Sequence, residues 1–198
     1  MASSLIMASG SPRRRELLSR VGFEFDVEAA DVDESVVEGE TPGDYVTRLA
    51  LAKASAVAAR HPGAFVIGAD TTVTVDGHIL GKVADANAAR FMLTQLVGRT
   101  HQVITGFAIV GPGSEVLQNV RTDAEMRSPS TDELDGYVAT GEWRGKAGAY
   151  AVQGMAAAFV TAVRGSITNV IGLPLAEVVV ALSACGGPAP NMEKGRPA

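Results

Sequence analysis

Residues 64–75 read AFVIGADTTVTV, and Asp76-Gly77 and then HILGKV follow directly. A stretch this rich in apolar and β-branched residues predicts a long strand. An Asp-Gly pair between two apolar runs is a strong hairpin signal, with HILGKV as the returning arm. The chain is thereby committed to a sheet, and the segments around the hairpin decide what kind. LIMAS (5–9) reads as a buried strand, SPRRRELLSRVG (11–22) as a helix opened by Ser11-Pro12 and closed by Gly22. FEFDVEA (23–29) alternates as a strand should, and Thr41-Pro42 begins an alanine-rich helix that runs to about Arg60. A second helix is predicted over about 85–97, paired strands over 100–113 and 114–127, and a capping-box helix from Ser130 and Glu133. Residues 158–172 read as a last strand pair, and Pro174 opens a final apolar helix. Strands alternating with helices, several in hairpins, predict an α/β fold with a mixed twisted sheet and flanking helices.

With 198 residues, 46% of them apolar, the chain is long enough for one domain with a soluble core. No apolar run is long enough to span a membrane. LIMA has no basic region before it and no processing site after it, so no signal peptide is expected. Cys185 is the single cysteine, which rules out an internal disulfide and a cysteine-rich zinc site; a cytoplasmic protein is expected. The net charge of −5 argues against a nucleic-acid partner, whereas basic residues at a few isolated positions suit a small polyanion.

Three places look wrong for structure alone. Projected as a helix, Arg14 falls on the stripe of Leu17, Leu18 and Val21, with Arg13 and Arg15 on either side. Cations in a first helical turn are unfavourable by a few tenths to about 1 kcal/mol each. Either the arginines snorkel to solvent, or they form an anion site with the backbone N–H groups there and with Ser9, Gly10 and Ser11. Arg15, next to Glu16, is the one expected to face water. In the long helix, Lys53 falls at the centre of the stripe of Val46, Leu49, Ala50 and Val57. A buried ammonium needs a partner, so either an acid pairs with it or the stripe faces bound anions. In the long strand, Asp70 interrupts an apolar run. It is either a structural cap for a loop or a metal-binding or general-base carboxylate, in which case Gly68 leaves space for ligand.

Other signals are weaker. GHILGKV fails as a phosphate-binding loop because Gly77 and Gly81 are one residue too close and Val83 replaces the Ser or Thr; Lys82 remains a candidate point charge. The acidic loop 31–40 offers Asp31, Asp33, Glu34, Glu38 and Glu40, one or two of which could hold a hard cation. His61, His78 and His101 have no metal-ligand spacing.

Taken in order, SGSPRRRELL, YVTRLALAKA, GADTTV, ILGKV, LVGRTHQVITG, KAGAYAVQG and NVIGLPL resemble the Maf family of nucleoside triphosphate pyrophosphatases. The resemblance runs from about Leu5 to Leu182 and implies one catalytic domain over 1–185, elongated and two-lobed around a deep cleft. The tail from Gly186 to Ala198 is expected to be disordered. The resemblance further implies cleavage between the α- and β-phosphates with Mg2+ or Mn2+ as cofactor, and it often goes with a homodimer. It makes Asp70 the proton acceptor and a metal ligand, and Glu34, in preference to Asp33, the second acid. Ser9, Ser11, Arg13, Arg14, Lys53 and Lys82 carry over as phosphate and nucleotide contacts. Arg13, Thr71 and Gln153 match the dTTP/UTP type, where the 7-methyl-GTP type carries Trp, Gln and Glu. A glutamine amide both donates and accepts, matching the O4/N3 edge of thymine or uracil. A purine-directed ITP/XTP enzyme and a nucleotide-binding regulator of septum formation are the alternatives. Val83 stands where the family usually has proline, and Ile167-Thr168 where a Tyr-His pair is common.

Overall fold

The computed structural model describes residues 4–193. Its elements run β1 (Leu5–Met7), α1 (Pro12–Arg20), β2 (Asp26–Val27), α2 (Pro42–Ala58), β3 (Phe65–Val75), β4 (His78–Leu80), α3 (Ala86–Thr94), β5 (Thr100–Gly111), β6 (Ser114–Met126), α4 (Thr131–Thr140), β7 (Val160–Arg164), α5 (Ile167–Ile171) and α6 (Leu175–Ala184). The seven strands form one mixed sheet in the order β2-β1-β3-β5-β6-β7, with β4 also paired to β3. β1 is parallel to both β2 and β3, whereas β4 is antiparallel to β3 and β7 to β6. This is the mixed α/β class that the sequence predicts. No described helix is long and apolar enough to cross a membrane.

The chain divides into two compact units. The first comprises residues up to Asp70, Thr105–Val120 and the chain from Gly172; the second comprises Thr71–Ile104 and Arg121–Ile171. The core of the first includes Ile6, Ala8 and Val66 of the β1–β3 region packed with Ala50, Ala54 and Val57 of α2. The core of the second gathers Val73, Leu93, Leu96, Tyr137, Trp143 and Phe159.

The approach of α2 to the sheet depends on two missing side chains. A Cβ at Gly68 would stand 2.1 Å from the Ala50 carbonyl oxygen, and one at Gly106 would stand 2.4 Å from that of Val46. Gly68 thus makes room for a helix and not for a ligand, which corrects the sequence reading. The even-numbered face of β3 lies under α2, so Asp70 shares the face of Gly68 while Thr71 points the other way.

Local signals were largely sufficient. Asp76 (φ 51°) and Gly77 (φ 80°) are both left-handed, as a two-residue hairpin turn requires. Thr41 caps α2 on Asp44 N–H at 3.2 Å, Asp85 caps α3, and Ser130 with Glu133 forms the complete capping box of α4. The expected strand 23–29 shrinks to two paired residues at the sheet margin, since β1 beside it is only three residues long. The expected strand pair over 158–172 is one strand and a short helix. Gly165 turns the chain at φ 125°, and Ser166 Oγ then accepts from Asn169 N–H at 3.2 Å. Asn169 is fully buried and donates to Val103 O at 3.1 Å and Thr122 Oγ1 at 2.9 Å. Those tertiary partners override the β-branched character of Ile-Thr-Asn-Val-Ile. In the tail, Gly187 N–H bonds Leu182 O at 2.8 Å and Asn191 N–H bonds Gly22 O at 3.1 Å. Residues 194–198 of the segment expected to be disordered lie outside the described residues.

Candidate active site

β1 ends at Met7, and its pairing with β3 ends at Ile67. Ser9 lies just past the end of β1, and Asp70 lies within β3, three residues after the last one paired with β1. Ser9 therefore stands beyond the carboxyl end of a parallel strand, the usual ligand position in open α/β sheets, with Asp70 on the neighbouring strand. Pro12 opens α1 there with Ser11 as N-cap, although the Ser11 side chain makes no capping hydrogen bond.

Arg14 is buried at 9% exposure together with Leu17 and Leu18, as the helical projection predicts. Its Nε donates to Gly172 O at 2.8 Å and its Nη1 to Ser9 Oγ at 3.0 Å. Ser9 Oγ also accepts from Ser11 N–H at 3.3 Å. Burial pushes the Arg14 guanidinium down from its ordinary value, Asp70 opposes this, Arg13 adds to it and Glu34 opposes it again. Arg13 is half-buried and is lowered by burial too, while Arg15 is exposed. Two partly desolvated cations at the positive end of a helix make a place where an added anion is stabilised.

Lys53 has the acidic partners that one reading of it required. Its Nζ, on a side chain with 9% exposure, lies 2.7 Å from Asp70 Oδ1 and 2.6 Å from Glu34 Oε1. One ammonium thus holds two carboxylates that are far apart in sequence. Glu34 reaches it from an exposed loop because that loop is fastened to α2. Tyr45 Oη donates to Glu34 O at 3.0 Å, Arg48 Nη2 to Ser35 O at 2.9 Å, and Arg48 grips both oxygens of Glu40 at 2.6 and 2.8 Å. The Tyr45 hydroxyl is raised by burial first and then by the charges of Asp70 and Glu34.

Within the first unit Ser9 and Arg14 form one group, with Ser11 on Ser9, and Glu34, Lys53 and Asp70 form another; Arg14 interacts through charge with Arg13, Asp70 and Glu34. The remaining predicted residues belong to the second unit: Thr71, half-buried in β3; Lys82, exposed after β4; and Gln153, exposed in a turn. Sequence reasoning passed over Tyr45 and Arg48 as loop fasteners and over the Gly172 carbonyl that orients Arg14. A backbone carbonyl 158 residues away leaves no local signal.

His101, whose sequence context shows only that it lacks metal-ligand spacing, is 2% exposed and shares a 2.8 Å hydrogen bond between its Nε2 and the Tyr150 hydroxyl. Burial pushes this imidazole from 6.5 down to about 4. The unfolded chain therefore takes up the proton first as pH falls. Stability is complete above about pH 6.5 and is lost towards pH 4, by up to about 3 kcal/mol. Urea unfolding measured between pH 7 and pH 4.5 is expected to show this slope, and His101→Gln to flatten it. An unchanged slope in that variant would remove His101 as its source.

A mixed sheet flanked by helices, with basic groups and two carboxylates gathered near the end of β1, makes this chain an α/β protein. A family model described as Maf-like protein matches residues 4–185. A dTTP/UTP pyrophosphatase of Myxococcus xanthus (strain DK1622) is 50% identical over 186 residues, which is 94% of this chain and 94% of its own. Another, from Symbiobacterium thermophilum, is 48% identical over 184 residues, 93% of this chain and 95% of its own. Among solved structures, the Ham1 protein of Staphylococcus aureus is similar at TM-score 0.46 and 18% identity, over 63% of this chain and 72% of its own. The chain belongs to the Maf family.

Proposed function

We propose that this chain is a nucleoside triphosphate pyrophosphatase acting on dTTP and UTP, releasing the nucleoside monophosphate and pyrophosphate. The observation that carries the reading is a pair of groups in the first unit: Arg14 held on Ser9 and Gly172, and Lys53 shared by Asp70 and Glu34, whose charges act on Arg14. The names of relatives near 50% identity support the substrate class.

A nucleoside triphosphate carries about four negative charges, and catalysis of its cleavage rests on positioning and neutralisation. Arg13, Arg14 and the N-terminus of α1 bind the phosphates, with the hydroxyls of Ser9 and Ser11. Asp70 accepts a proton from the water whose oxygen bonds to the α-phosphorus. The bond from that phosphorus to the bridging oxygen breaks, and its electron pair leaves with pyrophosphate. Lys53 holds the Asp70 carboxylate in place and adds positive charge near the leaving group. Contacts of Thr71, Lys82 and Gln153 with the nucleotide belong to the same proposal, Gln153 reading the base edge.

The donor set suits a hard cation. Two carboxylate oxygens converge on one nitrogen, and among the described residues no group of three His, Cys, Asp or Glu forms a larger cluster. Mg2+ is commonly held by one or two carboxylates, with phosphate oxygens and water completing its shell. Glu34 and Asp70 would hold Mg2+ or Mn2+, and the cation would supply charge neutralisation on the phosphates. A cytoplasmic place of work and independence from nucleic acid and membrane are part of this reading. The homodimer often found in the family is checked by sedimentation.

Purified protein with Mg2+ and a nucleotide panel is expected to release pyrophosphate fastest from dTTP or UTP, and EDTA to stop the release. Preference for 7-methyl-GTP or ITP would overturn the pyrimidine assignment. Release from no nucleotide would overturn the enzyme.

A further inference from the structure

Gln153 stands exposed near the centre of a tight turn, closed by Gly154 N–H on Ala151 O at 3.0 Å. Both ends of this turn are anchored within the second unit. On the approach, Tyr150 is buried at 6% exposure, with its hydroxyl on His101 and its ring edge-on to the imidazole at 5.3 Å. Ala149 before it is fully buried with φ 58°, and its carbonyl accepts from the Tyr137 hydroxyl at 3.3 Å.

On the exit side, apolar burial supplies little. Met155 is 60% exposed, and the next buried residue is Ala156. What holds this side is Glu142, which follows the Gly141 cap of α4. Glu142 Oε2 accepts from Met155 N–H at 3.0 Å. The same carboxylate lies against Gly154 so closely that a Cβ there would stand 2.2 Å from Oε2. Glu142 is itself fastened: its N–H donates to Thr140 Oγ1 at 3.1 Å, and its carbonyl accepts from Lys146 Nζ. Its other oxygen, Oε1, is buried, and the Tyr137 side chain interacts with the same carboxylate, which ties it further to the second unit's core. The carboxylate thus bears on Gly154 and Met155, the two residues that follow Gln153.

We infer that Glu142 is a positioning residue for base selection, holding the Ala151–Gly154 turn so that the Gln153 amide is presented in one orientation. This rests on the proposed role of Gln153 in reading a pyrimidine base. A carboxylate in this place acts on selectivity because misplacing a recognition group by about 1 Å can cost on the order of 10²-fold.

The test compares wild type, Glu142→Ala, Glu142→Gln, Gln153→Ala and the Glu142→Ala/Gln153→Ala double variant. It uses kcat/KM for UTP and CTP, with amide hydrogen exchange at Gly154 and Met155 as a second readout. Glu142→Ala is expected to lower the UTP/CTP ratio by about 10- to 100-fold, mainly through KM for UTP, and to lose protection at Met155. Glu142→Gln, which keeps an oxygen for Met155 N–H, restores both readouts to near wild type. The double variant is no less selective than Gln153→Ala. Parallel losses for both nucleotides, unchanged protection in Glu142→Ala, or an additive double variant would each overturn the inference. If wild type shows no pyrimidine preference while the exchange result holds, the substrate reading fails and the inference with it.

Discussion

Asp70→Asn is expected to lower pyrophosphate release from dTTP and UTP by about 10²- to 10⁴-fold, the range supplied by a general base, while the protein still folds. Asparagine matches aspartate in size but cannot take a proton from water and offers no anionic oxygen to a cation. Folding survives because Lys53 keeps Glu34 at 2.6 Å, so the buried ammonium is not left unpaired. Melting within a few degrees of wild type, with kcat lost, is the expected pair of results. Wild-type kcat in this variant would exclude Asp70 as base and as essential ligand. Collapse of the fold would instead make Asp70 a structural partner of Lys53 in α2.

Gly68→Ala is expected to have the largest effect on stability, about 3 kcal/mol or more, read from the urea midpoint. The added methyl meets backbone: 2.1 Å from Ala50 O, 2.7 Å from Ala54 N, and 2.9 Å from the Ala54 Cβ. Backbone in the middle of a helix cannot swing aside as the end of a long side chain can, so α2 as a whole must lift from β3. Lys53 lies between Ala50 and Ala54 on that helix, so lifting it also draws Nζ away from Asp70, 2.7 Å distant in the native protein. The folded fraction is expected to turn over more slowly for that reason. If Gly68 instead served to admit phosphate, the variant would keep its stability and raise KM alone.

These two neighbours show what was legible in the sequence. Asp70 stood out because a carboxylate in an apolar strand violates the local pattern. Gly68 stood out as well, but its violation has two physical causes that look identical in sequence, a ligand's approach and a helix's approach. The same holds for Lys53, whose place on an inward stripe announced a partner without saying whether it was protein or ligand. Arg14 was placed correctly on its stripe, since 3.6-residue periodicity is a property of the local chain. Its acceptor at Gly172 O was not, because a backbone carbonyl has no residue type to recognise. The burial and partner of His101 were not legible for a related reason. It sits at the start of a strand, and only the fold reveals that Tyr150 and a buried environment surround it.

By itself the sequence determined the α/β class, the order of the principal helices and strands, the helix starts near Thr41 and Asp85, the capping box at Ser130, the hairpin turn at Asp76-Gly77 and the candidate site residues. All of these depend on interactions within a few residues or on periodic burial, which local composition encodes. Only the tertiary structure decided that Lys53 binds both Glu34 and Asp70, that residues 167–171 are helix and not strand, and that Glu142 stands behind the Gln153 turn. Each of those is a contact between segments distant along the chain. Its energy depends on distance and desolvation in three dimensions, quantities that exist only once the sheet has brought the segments together.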